Sequence, residues 1–240
     1  MILLIDIGNT SAKYALCRDG RIVVTDRVSG SWATVGSHII TTYGMPEQVL
    51  ISNVAGPQPE LEALLYSLRM EARWLSWDTP EAQRFFTAIP PGLGADRLAA
   101  DVAACTMAPD ADVLVVDAGT CLTFDIINAS RTYVGGSISP GMGLRLKAMH
   151  DHTAALPLLT PQGDAPVIGT DIYTAMRGGC CNGMRWEIEG YVRHLVANGF
   201  PDLRVFCTGG DAPVLADDVS VRVTHHPHLV FQGLLEVYKE

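Results

Sequence analysis

One pattern occurs twice in this sequence and constrains the fold more than any other feature. Near the start, an apolar run over residues 2–5 leads into Asp6, and a turn of small and hydroxyl-bearing residues follows. In mid-chain, an apolar run over residues 113–116 leads into Asp117 and a second such turn. A short apolar run is typical of a strand buried on both faces. Two copies of strand and turn predict an internal duplication, with one copy in each half.

The residues after each turn decide what kind of phosphate loop it can be. After the first turn, strand-forming segments flank Asp19-Gly20, a strong signal for a β-hairpin. A dinucleotide-binding turn or a P-loop would lead from a strand into a helix instead. Gly8 lets the backbone come close to a ligand, and the hydroxyl and amide groups beside it suit phosphate oxygens. The pattern therefore predicts a phosphate-binding turn between two strands, with Asp6 near a metal-bound phosphate.

Length and composition fit a duplicated globular protein. The chain has 240 residues, of which 48% are hydrophobic and 18% are charged, as in folded rather than disordered proteins. We expect an N-terminal lobe over residues 1–111 and a C-terminal lobe over residues 112–240. The formal net charge of -9 argues against a nucleic-acid partner, which requires a basic stripe. Nucleotides stay possible, because a metal ion and local amide dipoles offset their charge.

The apolar segments and the cysteines bear on location. The first residues lack the basic start and the long apolar run of a signal peptide, and no stretch approaches the length of a membrane span. The six cysteines form no CxxC pair, so we expect buried thiols. Since such thiols suit a reducing compartment, we predict a cytoplasmic protein without membrane contact.

Five motifs carry a resemblance to type III pantothenate kinases, within the superfamily of acetate and sugar kinases, heat-shock chaperones and actin. In chain order they are DIGNT (6–10), LGADR (93–97), DAGTCLT (117–123), GGSISPGMGLRLKAMHDHTAALP (135–157) and TGGDAPVL (208–215). They follow the family's order and extend over nearly the whole chain. The resemblance implies an α/β fold of two RNase H-like lobes, each a mixed sheet with flanking helices, with ATP bound in a cleft between them.

The same resemblance implies an activity. The family phosphorylates the primary hydroxyl of pantothenate with ATP, giving 4'-phosphopantothenate in the first step of coenzyme A biosynthesis. Its cofactors are Mg²⁺, which accompanies ATP, and a monovalent cation, K⁺ or NH₄⁺. The family also forms homodimers. The glycines and the residues Met176, Met184 and Trp186 of the helix expected over residues 175–196 suit close docking on a second copy.

Individual roles follow from the matching motifs. Asp96 corresponds to the base that takes the hydroxyl proton, and Asp117 to the ligand of the monovalent cation. The implied ATP-binding residues are Asp6, Ile7, Gly8, Asn9, Thr10, Ser11, Ala12, Lys13 and Thr120. The implied substrate-binding residues are Thr87, Gly94, Ala95, Asp96, Arg97 and Ile172. Arg97 would bind the substrate carboxylate with its planar guanidinium. The local sequence alone favours a plainer role for Asp96, that of capping the following helix.

Two positions depart from the family's pattern, and both concern the acceptor. Thr87 stands where the family usually has a tyrosine, and Ile172 stands where it usually has a threonine, with Thr170 and Thr174 nearby. Two alternatives therefore stay open. One is a kinase of the same fold for another small hydroxy acid, and the other is a regulator that binds ATP without turnover.

Overall fold

The computed structural model describes residues 1–216 and 220–239, and the chain divides into two compact units. The first unit comprises Met1–Thr106 and the C-terminal segment from Leu229 onward. The second comprises Met107–His228. This division differs from the expected lobes over residues 1–111 and 112–240 chiefly in the C-terminal segment. Among the described residues, no helix has both the length and the hydrophobicity that a membrane span requires.

The first unit is built on a five-stranded mixed sheet. Its elements are β1 (Ile2–Ile7), β2 (Ala12–Arg18), β3 (Arg21–Arg27), α1 (Trp32–Tyr43), β4 (Gln48–Asn53), α2 (Pro59–Ser67), β5 (Ala72–Trp74), α3 (Pro80–Gln83), α4 (Ala95–Met107) and α8 (Leu229–Val237). The strand order is β3-β2-β1-β4-β5. β2 runs antiparallel to both β1 and β3, whereas β4 runs parallel to both β1 and β5. The predicted hairpin turn is confirmed, with positive φ at Asp19 and Gly20, as a two-residue hairpin turn of this type requires.

The second unit repeats this plan. Its elements are β6 (Val113–Ala118), β7 (Cys121–Ile127), β8 (Tyr133–Pro140), α5 (Met142–Asp151), α6 (Ile172–Ala197), β9 (Arg204–Thr208), α7 (Ala212–Ala216) and β10 (Thr224–His225). The strand order is β10-β9-β6-β7-β8. As in the first unit, the first strand has antiparallel strands on one side and parallel strands on the other. β7 runs antiparallel to both β6 and β8, whereas β9 runs parallel to both β6 and β10. The predicted duplication and fold class are confirmed.

Side-chain alternation along the central strands decides where the core and the carboxylates lie. In β1, Leu3, Ile5 and Ile7 pack with residues of α1 and α2 in one hydrophobic cluster. Since neighbouring residues of a strand point to opposite faces, Asp6 lies on the other face. In β6, the alternate set packs with α5 and α6, and Asp117 again lies on the other face. Each carboxylate therefore lies on the face of its sheet opposite the hydrophobic cluster that the sheet forms with these helices.

Two features of the structure differ from the sequence expectations. The sequence predicts only a short third strand in the second unit, over residues 132–134, but β8 comprises Tyr133–Pro140. Gly135 and Gly136 pair with Ile126 and Asp125 of β7, and Gly135, with φ of 148°, lies at a shift in the strand register. The C-terminal helix groups with the first unit because it packs on β1 and β4. At Gly233 of that helix, a Cβ atom would overlap the backbone of Ala99 in α4.

Candidate active site

The first unit brings two carboxylates together. Asp6 stands near the end of β1, and Asp96 lies in the first turn of α4. The backbone N–H of Arg97 donates to Asp96 Oδ1 at 2.8 Å, so this carboxylate stabilises the start of the helix as a capping group does. The charge of Asp96 also contributes to a raised pKa at Asp6. Helix capping and proximity to Asp6 are thus properties of the same side chain.

Strand pairing determines the other neighbours of Asp6. In the register of β1, Asp6 lies opposite Lys13 of β2 and Ser52 of β4. The buried hydroxyl of Ser52 donates to Asp6 Oδ1 at 3.1 Å. The pKa of Asp6 is raised to about 6, chiefly by burial and next by the charge of Asp96, whereas Lys13 and the Ser52 hydroxyl oppose the rise. A carboxylate that is short of positive charge in this way is suited to a divalent cation.

The first phosphate turn connects β1 to β2. The N–H of Gly8 donates to the carbonyl oxygen of Ser11 at 3.1 Å, which closes the turn. Asn9 and Thr10 at its tip are exposed, and Ser11, Ala12 and Lys13 are partly buried. The predicted ATP-binding segment, including Ile7 before it, is therefore a compact turn with an accessible polar tip.

The predicted acceptor residues of the first unit lie on α4 and on the loop before it. Gly94 precedes the helix, and its carbonyl oxygen accepts from the N–H of Leu98 at 2.9 Å. A Cβ atom on Gly94 would approach Asp96 Oδ1 to 2.7 Å, so only glycine leaves the carboxylate in place. Ala95 is buried and Arg97 is half-buried, while Thr87 is exposed in the loop between α3 and α4.

The second phosphate turn has a different surrounding. Asp117 of β6 lies opposite Thr123 of β7 and Thr208 of β9. A Cβ atom on Gly209, which has φ of 97°, would come within 2.5 Å of the Asp117 carboxylate. Burial, and after it the charge of Asp117, raises the pKa of the Cys207 thiol to about 12. Thr120 is exposed at the tip of this turn.

The remaining predicted substrate residue is Ile172, the first residue of α6 in the second unit. Its side chain is 41% exposed. The preceding Asp171 caps the helix by accepting from the N–H groups of Tyr173 and Thr174. The Thr174 hydroxyl donates to the Asp171 carbonyl oxygen at 3.2 Å, so it is engaged in the helix cap. Of the two nearby hydroxyls, that of Thr170 is the better candidate to compensate for Ile172.

Ser52 and Gly141 belong to the site but were not predicted to. Ser52 contacts Asp6 across the pairing of β1 with β4. In the sequence, the only signal for Ser52 was its place at the end of the apolar run of β4, before Asn53. Gly141 lies against the second turn, where a Cβ atom would overlap the carbonyl oxygens of Gly119 and Thr120. The Pro-Gly dipeptide at residues 140–141 could have indicated that close approach.

Comparison with known proteins gives one consistent family. The family model described as type III pantothenate kinase matches residues 2–194. A type III pantothenate kinase from Phocaeicola vulgatus is 40% identical over 211 residues, which cover 88% of this chain and 86% of that protein. One from Porphyromonas gingivalis is 35% identical over 235 residues, covering 97% and 95%. One from Flavobacterium psychrophilum is 32% identical over 239 residues, covering 100% and 99%.

Solved structures agree on the fold. A protein from Campylobacter jejuni, described as a candidate Baf-family transcriptional activator, superposes with a TM-score of 0.62 at 23% identity, covering 99% of this chain and 97% of that one. MreB 5 of Spiroplasma citri, bound to AMPPNP, superposes with a TM-score of 0.51 at 13% identity, covering 99% and 96%. At these identities the likeness concerns architecture alone.

Proposed function

Because the chain belongs to the type III pantothenate kinase family, we propose that it transfers the γ-phosphoryl group of ATP to the primary hydroxyl of pantothenate through the first-unit site. The product is 4'-phosphopantothenate, the first intermediate of coenzyme A synthesis. The observation that carries this proposal is that α4 begins beside the end of β1. A Cβ atom on Gly94 would lie 2.7 Å from Asp96 Oδ1 and 3.4 Å from Val54 Cγ1, and the N–H of Val54 donates to the Ile7 carbonyl oxygen at 2.9 Å. In this proposal, Asp6 at the phosphate turn binds the metal ion that accompanies the phosphates, and Asp96 beside it acts as the base.

Asp96 accepts the proton of the acceptor hydroxyl as the new O–P bond forms. A general base of this kind typically contributes about a hundredfold to ten-thousandfold to the rate. Arg97, the next residue of α4, binds the carboxylate of pantothenate. Gly94 leaves the Asp96 carboxylate unobstructed, and Ala95, Thr87 and Ile172 complete the acceptor contacts. Phosphoryl transfer otherwise depends on positioning and on charge stabilisation.

The phosphates of ATP lie on the first turn, residues 6–13, and Thr120 of the second turn also contacts the nucleotide. Backbone N–H groups, hydroxyls and the ammonium group of Lys13 offset their negative charge. Asp6 is suited to Mg²⁺ because Lys13 and one hydroxyl leave the buried carboxylate incompletely compensated. When bound, Mg²⁺ neutralises charge that develops on the transferred group.

Asp117 is the proposed ligand of a monovalent cation, K⁺ or NH₄⁺. The fit rests on the donors around it, since Thr123 and Thr208 flank it in the sheet register. The Thr123 hydroxyl is buried and has no hydrogen-bond partner among the described residues. A hydroxyl oxygen with an unused lone pair beside a carboxylate suits a cation that prefers oxygen ligands.

We further propose a homodimer in the cytoplasm. Two of the apolar residues expected at the dimer contact do not face outward, because Met176 and Met184 are buried in the core of their own unit. Trp186, which is 57% exposed, is the remaining apolar candidate for a dimer contact. Light scattering at micromolar protein gives twice the chain mass of 25.8 kDa if the proposal holds. The cysteines, which form no CxxC pair, are compatible with a reducing compartment.

The activity is tested by measuring ADP release with and without pantothenate, together with mass analysis of the acceptor. The expected result is pantothenate-dependent ADP release and an acceptor that has gained one phosphoryl group. A pantothenate analogue with hydrogen in place of the primary hydroxyl is the matched control, and it should give no release. If ATP binds but pantothenate is not phosphorylated at millimolar concentration, the acceptor assignment fails. Screening other small hydroxy acids then follows.

A further inference from the structure

We propose that Arg145 is a positioning residue for ATP: anchored by Glu187, it fixes the Pro140-Gly141 junction against the second phosphate turn. This inference rests on the proposed contact between Thr120 and ATP. It concerns only the second unit, and neither Arg145 nor Glu187 was among the residues expected to contact substrate.

Arg145 has an unusual position for a cationic side chain. It is the fourth residue of α5, near the end of the helix where positive charge is unfavourable. No acidic residue occupies the first turn of α5, and its N-cap residue, Gly141, has no side chain to accept a hydrogen bond. The cationic side chain therefore opposes the local helix dipole and requires a specific compensating partner.

The Arg145 guanidinium makes polar contacts with both β8 and α6. Nε donates to the carbonyl oxygen of Pro140 at 2.7 Å. Nη2 donates to the Ser139 hydroxyl at 3.2 Å and to Glu187 Oε2 at 2.5 Å. The Arg145 and Glu187 side chains are only 22% and 25% exposed, so water screens their ion pair less than it would at the surface. The planar guanidinium can serve several acceptors at fixed angles, which a lysine ammonium cannot.

The Pro140-Gly141 junction directly contacts the second phosphate turn. The N–H of Gly141 donates to the Thr120 carbonyl oxygen at 3.0 Å. Gly141 also lies so close that a Cβ atom would overlap the carbonyl oxygens of Gly119 and Thr120. Pro140 pairs with Cys121 in the ladder of β7 and β8. Any displacement of the junction therefore displaces the backbone of Thr120.

The role of Arg145 at the junction is separable from the attachment of α6 to the sheet. α6 has a second attachment to the same sheet, since the Tyr191 hydroxyl contacts Ser137 Oγ at 2.6 Å. The Tyr191 ring also stacks on Phe124, with a centroid distance of 4.1 Å. Because that attachment is independent of Arg145, α6 stays in place when the Arg145–Glu187 pair is lost. The Pro140-Gly141 junction then loses its polar contacts with Arg145, and the second phosphate turn becomes mobile.

The test compares Arg145→Gln, Glu187→Gln and the double variant with wild-type enzyme. For Arg145→Gln we expect the KM for ATP to rise about tenfold and the KM for pantothenate to stay within about twofold, as for a loss of ground-state nucleotide binding. Glu187→Gln should give a smaller rise in the same parameter. The double variant should match Arg145→Gln alone, because Glu187 acts through Arg145. Arg145→Lys should not restore the wild-type KM for ATP.

Tyr191→Phe is the matched control, since it removes a polar contact between α6 and β8 that does not reach the junction. It should leave the KM for ATP unchanged. The inference is overturned if folded Arg145→Gln and Glu187→Gln both keep the wild-type KM for ATP. It is also overturned if Tyr191→Phe reproduces their effect. If Arg145→Gln does not fold, Arg145→Lys and Glu187→Gln, which keep side-chain volume, provide the same comparison.

Equilibrium titration with a fluorescent ATP analogue, without pantothenate, separates this inference from the proposed function. If wild-type enzyme binds the analogue but does not phosphorylate pantothenate, the acceptor assignment fails, and weaker analogue binding by Arg145→Gln still supports the positioning role. If wild-type enzyme phosphorylates pantothenate and the variants bind the analogue equally well, only the positioning role fails.

Discussion

The two phosphate turns share a backbone plan and differ in what surrounds their aspartates. Asp6 has a lysine and a serine opposite it in the sheet and a second carboxylate, Asp96, nearby. Asp117 has threonines on both sides and glycine packed against it. The duplication therefore supplied one geometry twice, and the cross-strand partners gave each copy its own chemistry. On the proposed function, the first copy would hold a divalent cation and accept a proton, and the second would hold a monovalent cation.

The sharpest way to break this comparison is Asp96→Asn, which removes the feature that only the first copy has. We expect kcat to fall about a hundredfold to ten-thousandfold, as for the loss of a general base. ATP binding and thermal stability should change little. Asp19→Asn, at the exposed tip of the β2–β3 hairpin, is a control that also removes one carboxylate from the same unit. Turnover within a factor of a few of wild type for Asp96→Asn would show that Asp96 is not the base.

Ion dependence separates the two aspartates. Asp117→Asn should lower kcat/KM for ATP about tenfold to a hundredfold, the range for losing a contact with a charged group. It should also abolish the difference in rate between K⁺ and Na⁺. Asp6→Asn should instead raise the Mg²⁺ concentration required for half-maximal rate. Rates of the wild-type enzyme in K⁺, NH₄⁺ and Na⁺ are the first measurement, and equal rates would remove the basis for the assignment of Asp117.

The stability of the first copy should depend on pH through Asp6. Its pKa is raised from the ordinary 3.8 to about 6, so the folded state binds this proton more tightly than the unfolded state does. The contribution of Asp6 to stability therefore decreases as pH rises from about 4 to about 6 and stays low above that range. Asp6→Asn should stabilise the nucleotide-free protein by ~1–3 kcal/mol at pH 8.

Urea unfolding at pH 5, 6 and 8, without nucleotide or Mg²⁺, provides the measurement. The advantage of Asp6→Asn over wild type should grow from pH 5 to pH 8. Asp19→Asn again serves as the control and should show no such trend. A variant less stable than wild type at every pH would mean that the Ser52 and Lys13 contacts outweigh the burial of the charge.

The smallest expected effect concerns Ile172, on the acceptor side of the second copy. Ile172→Thr restores the hydroxyl that the family usually has there. One hydrogen bond to a neutral group is worth about 0.5–1.5 kcal/mol, so the KM for pantothenate should fall roughly threefold to tenfold. kcat should change little, which is the signature of restored ground-state binding. Ile172→Val, which changes shape without adding a hydroxyl, is the control, and an equal fall in KM there would contradict the hydrogen-bond explanation.

Local patterns predicted much of the fold and part of the site. Local patterns predict the apolar runs of β1 and β6, the Asp19-Gly20 hairpin and the presence of a helix at Asp96, because each depends on neighbouring residues in sequence. The pairing of Asp6 with Ser52 does not, because it depends on the register between β1 and β4. Likewise, Arg145 and Glu187 are 42 residues apart, and no short motif connects them.

Glycine was the residue type that misled the prediction of strand length. A Gly-Gly pair at residues 135–136 normally indicates a turn, but backbone hydrogen bonds to β7 keep it in β8. The grouping of α8 with the first unit was also beyond local inference. It follows from the complementary surfaces of Gly233 and Ala99, which become neighbours only after the chain has folded.

The return of α8 to the first unit has a consequence for biosynthesis. The first unit is assembled from the two ends of the chain, whereas the second, Met107–His228, is one continuous stretch. Arg84 reinforces this arrangement by donating to the carbonyl oxygens of Val237 and Lys239. Translation adds residues in order, at about 5–20 per second, so every residue of the second unit is added before those of α8. The unit that carries Asp6 and Asp96 therefore cannot be completed until α8 has been synthesised, and a nascent chain truncated before residue 229 lacks one of the helices of this unit.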